Sequence, residues 1–302
     1  MPRILCAGLI AADLVFEVGE FPASGTKIRA RGARMIAGGG AMNAASAITS
    51  LGGEAILAGA IGDDPLGEFL SDRIKAHGID DHLVQKVAGA STPRSAIVIT
   101  ADGERTIINH RDAEPPGETE ALHPDLLFDA VLVDTRFPAL ARTVTAAARQ
   151  AGKPCIVDAE APVSIATEVL EDATHVIFSE QGLADFCGEV SAAALAHAAR
   201  QLGGWCAVTR GARPVLCCDG QHSTKVTTLK THARNTLGAG DVWHGAFTLA
   251  LTRGHSEIEA VHWANAAAAL KVSRPLQMED LPTTAEVESL LQSDKPALEQ
   301  LT

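Results

Sequence analysis

No apolar run in this chain approaches the roughly 18 residues that a bilayer-spanning helix needs. The first residues, Met1-Pro2-Arg3-Ile4-Leu5-Cys6, enter a strand-like segment at once, without a charged leader, a long apolar stretch or a cleavage site. No secretory signal is therefore read. A basic cluster is missing too. With 25 Lys and Arg against 37 Asp and Glu, the formal net charge is −12, which argues against nucleic acid as a partner. The cysteines, Cys6, Cys155, Cys187, Cys206, Cys217 and Cys218, form no C-x-x-C and no zinc-spaced group with histidine. Four of them lie in apolar strand-like runs. Buried thiols in a reducing cytosol are expected, and with them a cytoplasmic location and no membrane partner. Pro/Gly/Ser linkers, repeats and low-complexity tracts are absent. An acidic chain that handles anions must gather positive potential locally, at helix N-termini and at a few placed Lys or Arg residues.

What is present is alternation. Strand-like runs at Ile4–Gly8, Ala55–Ala60, Val131–Asp134, Cys155–Asp158, His175–Phe178 and Cys206–Thr209 are separated by helical patterns such as Leu66–His77, Leu140–Ala151 and Ala192–Leu202. Such alternation implies an α/β fold with a mostly parallel central sheet flanked by helices. Glu17–Met35 and Ala96–Asn109 break it. Ser95–Thr100 and Thr106–Asn109 read as a hairpin around Asp102-Gly103, since Asp-Gly favours a tight turn. Together these stretches predict a small antiparallel sheet, either standing off the main body as a lid or extending the main sheet. Ligands of parallel α/β sheets bind outside the carboxyl ends of the strands. Asp13, Arg136, Asp158, Ser179, Glu180 and Thr209 fall there.

Two Gly-rich segments carry the chemistry. Asn235-Thr236-Leu237-Gly238-Ala239-Gly240-Asp241 runs into a helix expected over Val242–Leu251. Small residues crowd backbone N–H groups at a helix start, where they make a pocket for negative charge. Asp241 beside that pocket can accept a proton from an attacking hydroxyl. A plain Gly-rich turn with a capping Asp would satisfy the same spacing. Gly38-Gly39-Gly40-Ala41-Met42-Asn43 precedes a helix expected over Ala44–Leu51. Asn43 can donate to and accept from sugar hydroxyls. The segment is neither a Walker A loop, since no Gly-Lys-Ser/Thr follows, nor a dinucleotide fingerprint, since Asn43 replaces its last Gly.

Taken together, Gly39 to about Leu70, with Gly52-Gly53, Gly59-Ala60-Ile61-Gly62-Asp63-Asp64 and Gly67, and Thr236–Asp241 with Gly245-Ala246-Phe247 resemble the two signatures of the ribokinase-like (PfkB) carbohydrate kinases. The resemblance runs from the first strand to about Pro275. It implies a ribokinase-like fold over 1–302 with a small β-sheet lid at about 14–36 and 90–112. ATP-dependent phosphorylation of a sugar hydroxyl with Mg2+ follows from it, as does a homodimer through the lid. Carried over by position, Asp241 is the base, and the amides of Gly238, Ala239 and Gly240 form the anion hole. Asp13, Gly39, Gly40 and Asn43 contact the sugar. Ser179, Glu180, Thr209, Gly211 and Asn265 bind the nucleotide, with Glu180 reaching the metal through water.

The chain departs from the family where Ser179-Glu180-Gln181-Gly182 keeps only the Glu of an Asn-Glu pair and its following acid. It departs again where Leu276-Gln277-Met278-Glu279-Asp280 replaces a Gly-rich loop. Ser24–Lys27, Gly103–Asn109, Asp134–Arg136, Phe178–Leu183 and Ala269–Lys271 resemble the sulfofructose kinase branch. That branch implies 6-deoxy-6-sulfofructose as substrate, its sulfonate held by Lys27, Asn109 and Arg136. A tetrahedral anion suits cationic donors plus a neutral amide. A carboxylate of a keto-deoxy-sugar acid or a sugar phosphate would suit them as well. The alternatives are a ribokinase-, fructokinase- or nucleoside-kinase-like enzyme, and a nucleotide- or sugar-binding protein with little turnover.

Overall fold

A computed structural model of the chain describes residues 1–101, 104–115, 127–275, 281–294 and 297–301. The Asp102-Gly103 turn and the departure at Leu276–Asp280 lie outside the described residues.

The strands are β1 (Arg3–Ala7), β2 (Ala11–Glu17), β3 (Gly32–Gly38), β4 (Glu54–Gly62), β5 (Asp80–Val87), β6 (Arg94–Ile99), β7 (Arg105–His110), β8 (Ala130–Asp134), β9 (Cys155–Ala159), β10 (His175–Ser179), β11 (Trp205–Arg210), β12 (Arg213–Cys218), β13 (Ser223–Val226) and β14 (Leu298–Leu301). The α-helices are α1 (Gly40–Ser50), α2 (Pro65–Ala76), α3 (Pro138–Gln150), α4 (Thr167–Glu171), α5 (Glu180–Cys187), α6 (Ala192–Leu202), α7 (Ala239–Thr252), α8 (Glu257–Ser273) and α9 (Thr284–Ser293).

The large sheet has the order β14-β13-β12-β11-β10-β9-β8-β1-β4-β5. Neighbours from β5 to β11 run parallel. Its inner strands read as unbroken apolar runs because both faces are covered. Successive side chains point to opposite faces, so Ile4 and Cys6 of β1 join one core while Leu5 and Ala7 join the other. The first core is closed by α1, α7 and α8, the second by α3 and α6. Five of the six cysteines, rather than four, lie in strands, and all six are free thiols.

Three antiparallel strands, β12 to β14, extend the sheet beyond the parallel part. The sequence reading placed none of them. Pro214 interrupts the β12 run, and the ladder tolerates it because the β11–β12 register shifts there, between Val208 and Arg210.

The other expected sheet is separate from the large one, with the order β3-β2-β6-β7. It is not wholly antiparallel, since β2 and β6 pair in parallel. Its register aligns Ile36, Asp13, Ser95 and Asn109 in one row across the four strands. Side chains in one row share a face, so these four look the same way. Phe16, Met35 and Ile108 lie on the opposite face and are 37%, 39% and 68% exposed.

After β1 the chain builds the sheet outward through β4 and β5, then returns to the far side of β1 with β8. The crevice between the carboxyl ends of β1 and β8 is a topological switch point, where open α/β sheets take their ligands.

Candidate active site

Two helices start at that crevice, and their close approach forms the site. A Cβ at Gly245 of α7 would lie 2.7 Å from the Ala44 carbonyl oxygen of α1, so only glycine allows this crossing. Ala44, Ala45 and Ala47 supply the matching small face of α1. The crossing brings together residues 198 positions apart: Asn43 Nδ2 donates to Asp241 Oδ2 at 2.6 Å. Both helices begin earlier than the sequence suggested, at Gly40 and Ala239. Glycine is a poor helix former, which is why both motifs read as loops. Asn43 and Asp241 accordingly sit inside helical turns.

Gly238 caps α7 with φ 71°, a left-handed conformation suited to glycine. The first N–H groups of a helix lack partners within it. Ala239 N–H donates to the Thr236 carbonyl at 3.3 Å. A Cβ at Gly240 would meet nothing within 4 Å. The space above the first turn of α7 is open to a ligand.

Beneath that turn the surroundings are closed. Gly40, Asp134, Asp158, Asp241 and His244 line a cavity of only about 10 Å3, about enough for one water. Asp241 is pushed up to about 7, chiefly by burial and then by the charge of Asp158, against the Asn43 hydrogen bond. Burial likewise raises Asp134, although Leu9 N–H and Arg136 N–H donate to its two oxygens at 2.7 and 2.9 Å. Asp158 is raised strongly by burial, then by Glu160 and Asp134. His244 is held below its ordinary value by burial. Its Nε2 lies 3.5 Å from Asp158 Oδ1. Asp13, on the row shared with Ser95 and Asn109, is raised to about 6 by burial, and a Ser95 hydrogen bond opposes this.

The nucleotide-side candidates have local partners. Ser179 caps α5 through Gly182 N–H at 3.0 Å. Glu180 is ion-paired with Arg213. Thr209 stands opposite Ser179 across β10 and β11, and Gly211 turns the chain between β11 and β12. The Asn265 amide is engaged at both ends, by Trp243 Nε1 at 2.8 Å and the Thr227 carbonyl at 3.2 Å. Of the anion-clamp candidates, Arg136 is ion-paired with Glu160 and donates to the Ala161 carbonyl at 3.2 Å. Lys27 lies exposed between β2 and β3, and Asn109 lies exposed on β7. Gly39 and Gly40 form the N-cap and first residue of α1.

Sequence reasoning missed His244 and Ser95. The three-residue spacing from Asp241 to His244, one helical turn, was the available signal for the first. Nothing local marks Ser95, which reaches Asp13 through strand register.

A switch-point crevice with a paired carboxylate under an open helix N-terminus suits phosphoryl transfer. Residues 1–284 match the pfkB family carbohydrate kinases, and the chain belongs to that family. It is 26% identical over 300 residues to the ribokinase of Bacillus subtilis strain 168, covering 96% of this chain and 100% of that one. Among solved structures it resembles an Agrobacterium tumefaciens protein provisionally assigned as a ribokinase, with TM-score 0.90, 33% identity and coverage of 97% and 98%. It also resembles the ADP complex of Cryptococcus neoformans ribokinase, with TM-score 0.78, 25% identity and coverage of 96% and 99%. The chain is an ATP-dependent carbohydrate kinase that transfers phosphate to a hydroxyl group.

Proposed function

We propose that this kinase phosphorylates a hydroxyl of an anionic keto-sugar, with Asp241 as general base. The observation that carries the assignment of the base is the Asn43–Asp241 hydrogen bond at 2.6 Å beneath the open turn of α7. Asp241 takes the hydroxyl proton as the sugar oxygen bonds to the terminal phosphorus and the bond to the departing ADP breaks. Asn43 orients the carboxylate. The Gly238 and Gly240 amides, with Ala239 in the same turn, face the charge that develops on the transferred group. Asp13, Gly39, Gly40 and Asn43 hold the sugar, with Asn109 on the same row as Asp13. The nucleotide lies along Ser179, Glu180, Thr209, Gly211 and Asn265.

Mg2+ bound with ATP would neutralise phosphate charge. Among the described residues no group of three or more His, Cys, Asp or Glu side chains could hold a metal. This fits an ion carried by phosphates and water, with Glu180 at most an indirect partner.

The finer substrate proposal is 6-deoxy-6-sulfofructose held by Lys27, Asn109 and Arg136. A neutral sugar such as ribose or fructose is the second reading, favoured by the Arg136–Glu160 ion pair, which already neutralises one member of the clamp. A coupled assay across sulfonated, carboxylated, phosphorylated and neutral sugars separates them, run with wild type and Arg136→Ala. The clamp predicts a roughly 10- to 150-fold loss in kcat/KM confined to the anionic sugar. Equal loss for charged and neutral sugars removes the clamp and leaves the neutral-sugar kinase.

The exposed apolar face of the small sheet, with Phe16, Met35 and Ile108, suits a second copy of the chain, which would make a homodimer through the lid.

A further inference from the structure

Between the small sheet and the segment leading into α7 lies a cavity of about 630 Å3. Asp13, Asn43 and Asp241 do not line it. Its charged lining is lopsided. Arg31 and Arg34 come from the β3 side of the small sheet, Arg105 from β7, and His232 and Arg234 from the approach to α7, against one carboxylate among the described residues, Glu17. That carboxylate is ion-paired with Arg34. Arg105 Nη1 donates to Thr236 Oγ1 at 2.9 Å, tying the small sheet to the phosphoryl loop. The guanidinium groups of Arg31 and Arg234 have no hydrogen bond or ion pair among the described residues.

Four guanidinium groups around one cavity repel one another, and here they do so in a chain of net charge −12. The arrangement makes electrostatic sense with a counter-charge in the cavity. Its wall includes Asn235, Thr236 and Leu237, the residues immediately before Gly238. An anion held there borders the first turn of α7. Its volume falls within the ~300–1,000 Å3 of small-molecule sites, more than a lone ion needs. Arginine presents planar paired donors that match a tetrahedral oxyanion, so the lining selects phosphoryl or sulfonyl groups.

We propose that this cavity is an oxyanion subsite in which Arg31 and Arg234 hold a phosphoryl or sulfonyl group of a ligand whose remainder occupies the active site. It rests on the kinase reading above and is separate from the Lys27, Asn109 and Arg136 clamp. Because its cations come from both the small sheet and the large body, an anion here draws the two together across the mouth of the site. The group belongs either to the phosphate chain of the nucleotide or to an acidic substituent of the sugar.

The test is calorimetric titration of the full chain with sodium tripolyphosphate. Wild type is expected to bind saturably. Arg31→Ala and Arg234→Ala should each weaken binding roughly 10- to 100-fold, with unchanged melting temperature since both side chains are exposed. Arg142→Ala, on the exposed surface of α3, controls for net charge. Equal affinity in wild type and the two variants, or a loss matched by Arg142→Ala, overturns the subsite.

Kinetics of the same variants identify the source. A raised KM for ATP with every sugar assigns the group to the nucleotide. A raised KM confined to anionic sugars assigns it to the sugar. No change in either KM overturns the proposal while leaving the kinase reading intact. Tripolyphosphate binding through Arg31 and Arg234 in a chain that phosphorylates no sugar would uphold the subsite and sink the kinase reading alone.

Discussion

At one end of the cleft Asp134 and Asp158 are buried beside His244, with Asp241 half-buried next to them, while at the other Arg31, Arg105 and Arg234 stand exposed on the rim. The first group is crowded at the helix starts and strand ends, and burial raises each of its carboxylates above the ordinary range, Asp158 and Asp241 most. The second stands in contact with solvent. Proton chemistry needs the first environment, because a base near neutrality takes and releases a proton at little cost. Anion capture needs the second, where charge is retained and the partner can enter.

The largest expected effect breaks the buried end. Asp241→Asn should lower kcat by about 10²–10⁴-fold with sugar affinity kept, since proton acceptance contributes that much. A variant with near-normal kcat would remove Asp241 as base. The wild-type acid limb sharpens the assignment. The base works deprotonated, so kcat/KM should fall as pH drops below about 7. Asp134, Asp158, Glu160, Arg136, His244 and Asn43 are the charged and polar groups facing this carboxylate or its neighbours. Stability carries the same signature with a definite sign. A carboxyl raised from 3.8 to about 7 contributes stability below its unfolded value, and this is lost as pH rises through the folded one. The melting temperature of Asp241→Asn relative to wild type should therefore climb from about pH 4 to about pH 7 and level off above. A difference flat across that range would mean an unshifted Asp241.

The next effect lies between the two ends, at the phosphoryl loop, and sets two glycines against each other. Gly238 needs φ 71°, so Gly238→Ala should cost about 1–2 kcal/mol of stability. Gly240 is helical and faces open space, so Gly240→Ala should be neutral or stabilising by about 0.5–1 kcal/mol. Under the proposed mechanism its methyl would nonetheless occupy the space of the transferring phosphoryl group, and kcat should fall. Thermal melting and turnover of the pair read the two effects separately. Gly240→Ala with undiminished kcat would place the phosphoryl group elsewhere.

The same contrast explains what could be read from the chain alone. Gly-rich loops followed by polar side chains are local patterns, so Asn43 and Asp241 could be named before their contact was known. Parallel strands buried on both faces, such as β1 and β8, announce themselves as apolar runs. Strand β12 did not, because Pro214 sits in it and only the register shift opposite makes it tolerable. The rim arginines were equally silent. Arg31, Arg105 and Arg234 are spread over about two hundred residues and look like ordinary solvated charges until the small sheet folds over the α7 loop. His244 failed to register because a histidine inside an apolar helix is ordinarily a core residue.

The smallest expected change in turnover comes from a buried pair behind the site. Trp243 stacks on Phe247 at 5.3 Å and 8°, and its Nε1 donates to Asn265 Oδ1 at 2.8 Å. Trp243→Phe keeps an aromatic ring but leaves Asn265 Oδ1 buried without a donor, a loss of about 1–3 kcal/mol. The fold should weaken by that amount in urea titration while kcat and the KM for ATP stay within about twofold, because Asn265 remains fixed through the Thr227 carbonyl at 3.2 Å. The outcome also decides how Asn265 is held in place. If the Thr227 carbonyl suffices, stability alone responds. A KM for ATP that rises in Trp243→Phe would mean that the Trp243 contact also sets Asn265 for the nucleotide, tying the closed interior to the open end of the cleft.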